Sequence, residues 1–119
     1  MNVKRGESIA LAFSIADAAN GLAGKRVTWA LAKSAGGPRV LRKLSALPGS
    51  SADVTILVQT AALIQGTINL LPADFDSLPL ERYHASLWID DGATFLRCAT
   101  DAGVDVVDIL PTVAQGANP

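Results

Sequence analysis

The chain has 119 residues, enough for one domain with one core and too few for two. Half of its residues are hydrophobic and 18% are charged, the balance of an ordinary globular domain. A net charge of −1 leaves no basic field to hold nucleic acid or an anionic membrane, and a single cysteine, Cys98, excludes a disulfide within the chain.

The N-terminal segment carries the basic pair Lys4-Arg5 ahead of "SIALAFSIADAANGLAG", a profile that overlaps with that of a signal peptide. Glu7 interrupts it, and the apolar stretch alternates large with small: Ile9, Leu11, Phe13 and Ile15 against Ser8, Ala10, Ala12 and Ser14. A period of two predicts a half-buried strand over 8–15 with the large residues inward. Asn20-Gly21 then offers a turn with positive φ. In "KRVTWALAK", Val27, Trp29 and Leu31 share one face and Thr28, Ala30 and Ala32 the other, which makes Trp29 a core anchor.

Gly36, Gly37 and Pro38 break the chain into a loop before "VLRKL", a short strand whose charges suit a sheet edge. Lys4-Arg5, Lys25-Arg26 and Arg42-Lys43 read as solvated pairs at strand ends. "DVTILVQT" is a strand rich in β-branched residues, "AALIQ" a connector and "GTINLL" a strand stopped by Pro72. "ADFDSL" fits one helical turn near residues 73–78, with aspartates at its positive end, and Pro79 ends it.

"RYHASLWID" alternates again, Tyr83, Ala85, Leu87 and Ile89 inward, His84, Ser86 and Trp88 outward. Asp91-Gly92 closes a hairpin into "ATFLRCAT", and "VDVVDIL" is the last strand. The expected fold is therefore all-β: an immunoglobulin-like antiparallel β-sandwich of about seven or eight strands over residues 1–110, followed by a C-terminal tail at 111–119.

Chemical motifs are sparse. Zinc needs three or four soft or imidazole ligands, and the chain holds one Cys and one His. Asp74-x-Asp76 and Asp90-Asp91-Gly92 place carboxylates in turns. The calcium-loop pattern fails, because no Gly follows Asp76 at the required place and Ala85 stands where the bidentate Glu belongs; solvated carboxylates are expected. His84 is the lone candidate base, no Gly-x-Ser-x-Gly elbow occurs, and "AGGPR" lacks the Lys-Ser/Thr of a phosphate loop. Cys98 shares a strand face with Thr94 and Leu96, so it reads as a small packed residue. No catalytic residue, cofactor, metal or small-molecule substrate is expected, and the chain reads as a non-enzyme. Trp88 stands out, with His84 and Ser86 beside it. Two readings stay open: a partner contact, or an indole covered by the Pro72–Pro79 corner or the tail.

"RGESIALAFSIADAANGLAGKRVTWALAK" resembles the opening of the immunoglobulin-like modules of tailed-phage virion proteins and is similar to the N-terminal domain of phage baseplate upper proteins. The matching residues are Gly6-Glu7, Asp17 to Gly21 and Leu22 to Gly24. "TINLLPADFDSLPLERYHASLWIDDG" is similar to that family's strand, acidic helical turn, Tyr-containing strand and Asp-Gly hairpin, and "GVDVVDI" to its closing strand. The resemblance implies a structural protein of a virion, assembled in the host cytoplasm through other virion proteins and copies of itself. Baseplate upper proteins continue into long C-terminal regions, a departure that counts against a baseplate location; the expected roles include baseplate, tail, head–tail or head-decoration component. The alternative is a carbohydrate-binding β-sandwich used in adhesion, for which a chain that is 5% aromatic offers few platforms.

Overall fold

The computed structural model describes residues 2–16, 21–34, 37–90, 95–97 and 106–110, the backbone alone for 95–97. Among these described residues nine strands and one short helix follow in order: β1 (Asn2–Lys4), β2 (Ile9–Ala16), β3 (Arg26–Ala32), β4 (Arg39–Leu44), β5 (Val54–Gln59), β6 (Leu63–Leu70), α1 (Pro72–Phe75), β7 (Arg82–Asp90), β8 (Phe95–Arg97) and β9 (Val106–Leu110). One sheet runs β1-β9-β7-β3-β4, with β8 also on β7; the other runs β2-β6-β5. This pairing is that of an immunoglobulin-like sandwich. β8 pairs with the far half of β7 and β9 with its near half, so the two share one edge of that strand. β1 pairs with β9 in parallel, the one departure from the expected antiparallel order. It is too short to be read from a three-residue pattern.

The alternating residues close the core from both sheets. Phe13 and Ile15 of β2 and Ile64, Ile68 and Leu70 of β6 pack against Trp29, Tyr83, Leu87 and Ile89. Ile9 and Leu11 complete the inward row of β2 as partly buried neighbours. Trp29 and Tyr83 are fully buried, each removing roughly 150–250 Å² from water.

β3 differs from its pattern: Thr28 and Ala30 on its outward face are as buried as Trp29. β3 lies between β4 and β7, so it is an interior strand paired on both edges.

"AALIQ" is no connector, because β6 begins at Leu63 and runs through Gly66. Gly66 is required for close approach, since a Cβ there would lie 1.9 Å from the Thr55 carbonyl oxygen of β5. Facing it, β5 carries a bulge between Ile56 and Val58 that turns Leu57 out. A second bulge on β4 does the same to Val40. Both strands are sheet edges, where bulges impede further pairing.

The corner from β6 to β7 is built around α1. Asp74 accepts from the Leu71 N–H at 2.7 Å, closing the first turn. Phe75 and Leu78 plug the core, and the Tyr83 hydroxyl donates to the Pro79 carbonyl at 2.9 Å. At the turn before β3, Gly21 has φ 63°, the positive value expected there, and buried Leu22 is held by the Ala61 carbonyl. Asn20, the Asp91-Gly92 turn, Cys98 and the 111–119 tail lie outside the described residues.

Candidate functional site

The outward face of β7 carries His84, Ser86, Trp88 and Asp90 in register with β3, and Arg82 in register with Asp108 of β9. Trp88 lies across from Thr28, Ser86 from Ala30 and His84 from Ala32. The three residues singled out from sequence therefore do share one face, beside the small side chains Thr28, Ala30 and Ala32 of β3.

Trp88 is half-buried. Its indole N–H donates to the Ser86 hydroxyl at 2.8 Å, and the Arg39 guanidinium of β4 lies 4.8 Å from the ring centroid. A cation over an indole is worth roughly 0.5–1 kcal/mol at an exposed position. Ring and N–H are thus fixed by β4 and by the strand itself; the tail reading of its cover falls outside the described residues.

Two arginine–aspartate forks bound the face. At the start of β7, Arg82 grips Asp108 at 2.8 and 3.2 Å. That hydrogen bond holds the Asp108 carboxyl below its ordinary range and raises Arg82. At the other end, Arg26 grips Asp90 at 3.3 and 3.0 Å.

Asp90 corrects the expectation of solvated turn carboxylates: it is the last residue of β7 and only 1% exposed. Asp74 corrects it too, with a side chain 16% exposed and 2.6 Å from Lys43 Nζ. Asp76 is exposed as expected.

Nor are the basic pairs all solvated. Arg5 donates to the Leu78 carbonyl, Arg26 is in its fork, and Lys43 is buried, while Lys4 and Arg42 are exposed. The signal available for Lys43 was its phase. It alternates with Leu41, whose face points inward, so the register that buries one buries the other.

Among the described residues no group of three or more His, Cys, Asp or Glu is placed to hold a metal ion, and no helix is long and apolar enough to cross a membrane. His84 is half-buried at the β7–β9 junction, opposite Val106 and Ala32.

Comparison with known protein families, curated proteins and solved structures finds no match to this chain.

Proposed function

We propose that the chain is a non-enzymatic structural protein of a tailed-phage virion. It acts through protein–protein contacts with neighbouring virion proteins and with copies of itself. The observation that supports this reading is the prepared state of Trp88. An outward indole is held in one orientation by Ser86 and Arg39 on a sheet face bounded by two arginine–aspartate forks. A fixed aromatic beside an arginine loses little conformational freedom on docking and has the composition of an interface hot spot. The sequence resemblance supplies the virion context, and the sandwich topology agrees with it. A glycan platform is the weaker reading, since the Arg39 guanidinium occupies a ring face that a sugar would need.

Two measurements test it. Light scattering after size-exclusion chromatography is expected to show a defined oligomer that Trp88→Ala dissociates without unfolding. Identical monomers for both proteins would sink self-assembly through this face. Mass spectrometry of gradient-purified particles from the source lysate is expected to contain its peptides, and their absence would end the virion reading.

A further inference from the structure

Lys43 occupies a position where an edge strand would ordinarily place a hydrophobe. It faces inward opposite Trp29, and its side chain is 4% exposed. Its Nζ lies 2.6 Å from Asp74 Oδ2 and 3.7 Å from Asp53 Oδ1. The three side chains come from three segments: Lys43 from β4, Asp53 from the turn before β5, and Asp74 from α1 after β6. The Leu71 N–H also donates to Asp74 Oδ2, at 2.7 Å.

That arrangement contains the parts of an acyl-transfer site. There is a sequestered amine, a carboxyl carbon beside it, a backbone donor on the oxygen where negative charge would collect, and a second carboxylate to move a proton. We propose that Lys43 and Asp74 join in an intramolecular amide bond, with Asp53 as the proton carrier.

In the ion pair Asp53 takes one proton from the Lys43 ammonium and delivers it to Asp74 Oδ1, leaving a free amine and a carboxylic acid while Oδ2 keeps its contacts to Nζ and the Leu71 N–H. The Nζ lone pair attacks Cγ, forming the C–N bond and placing negative charge on Oδ2, which the Leu71 N–H stabilises. Asp53 takes a proton from the nitrogen and delivers it to the Oδ1 hydroxyl. The C–O bond then breaks, water leaves, and the Oδ2 carbonyl re-forms. Ammonium plus carboxylate becomes amide plus water, with no change of oxidation state and Asp53 returned as carboxylate.

Free amines and acids do not condense in water. Groups fixed in contact reach effective molarities of roughly 10⁵–10⁸ M. The Lys43 and Asp74 side chains, 4% and 16% exposed, are largely shielded from the water that would reverse the step, while Asp53, 42% exposed, connects the proton path to solvent. The product would strap the edge strand of one sheet to the corner leaving the other, in a chain whose single cysteine allows no internal disulfide.

The test is the intact mass of the purified full chain under denaturing conditions. The expected mass is one water below that of the unmodified sequence, and a digest is expected to yield a branched peptide joining Lys43 to Asp74. A succinimide at Asp91-Gly92 would show the same deficit, but hydroxylamine opens it and leaves an amide intact. Lys43→Arg keeps a cation in the site and is expected at full mass. Asp53→Asn is expected as a mixture, with conversion slowed at least tenfold. Full mass in the native chain overturns the proposal, as does a deficit that hydroxylamine removes or that persists in Lys43→Arg. Unslowed conversion in Asp53→Asn overturns the role given to Asp53.

Discussion

The hydroxyl of Tyr83 reaches back four residues to the carbonyl of Pro79, at 2.9 Å, and fixes the corner through which the chain passes from one sheet to the other. This is the tyrosine corner of immunoglobulin-like sandwiches. The ring is fully buried while its oxygen finds a partner at the exposed corner. Tyr83→Phe keeps the ring and removes only the bond. It is expected to cost about 1 kcal/mol, read as a fall of a few degrees in thermal midpoint.

The same residue gives an alkaline signature. Burial, and then the nearby Glu81 charge, raise the Tyr83 phenol above its ordinary 10.0. Because the folded form holds its proton more tightly, this contribution is full below pH 10.0 and declines as pH rises from there through the folded value. Urea melts between pH 9 and 11 are expected to show that decline in the native chain and a shallower one in Tyr83→Phe. Parallel curves would refute the assignment.

Asp108 should behave in the opposite sense. Its hydrogen bond to Arg82 holds it below its ordinary 3.8, so what the pair contributes is present above that pH and is lost as pH falls through the lower folded value. Carboxyl-carbon NMR is expected to place the midpoint of Asp108 below 3.8 and to move it upward in Arg82→Gln. An unmoved midpoint would mean that the fork does not persist in solution.

Gly66→Ala drives a methyl carbon to within 1.9 Å of the Thr55 carbonyl oxygen, which is backbone and cannot swing aside. β5 must then shift off β6. The expected cost is about 1–3 kcal/mol, measured by chemical denaturation, with Gly37→Ala far milder because the nearest atom there is the Ser34 hydroxyl oxygen.

Thr28→Val is expected to stabilise the domain. The Thr28 hydroxyl is fully buried and has no hydrogen-bond partner among the described residues. An isosteric methyl removes that desolvation cost and keeps a β-branched residue in the strand, for a gain of about 1 kcal/mol in a denaturant melt. Destabilisation instead would show that the hydroxyl is satisfied in solution.

The two tryptophans should separate spectroscopically. Trp29 is sealed in the core, whereas Trp88 is half-buried beneath Arg39. Trp88→Phe is expected to leave a blue-shifted emission that acrylamide barely quenches, and Arg39→Ala to increase quenching in the parent chain. An unchanged quenching constant in Arg39→Ala would show that the guanidinium does not cover the ring.

Much of this domain follows from local pattern alone. Alternation of two placed Phe13, Ile15, Trp29, Tyr83, Leu87 and Ile89 inward, and it set Trp88, Ser86 and His84 on a common outer face. A strand whose faces meet different solvents must write that difference into successive residues. The proline-bounded acidic turn was legible for the same reason, since Pro72 and Pro79 act on their immediate neighbours. Other features depend on residues far apart in the chain. Gly66 reads as a break until β5 is laid against it. Lys43 and Asp74 read as solvated charges until the folding of two sheets brings β4 against the corner. Asp90 reads as part of a turn until Arg26, 64 residues earlier, reaches it. Burial of a charge is a property of the pair, and only the tertiary structure decides which pairs exist.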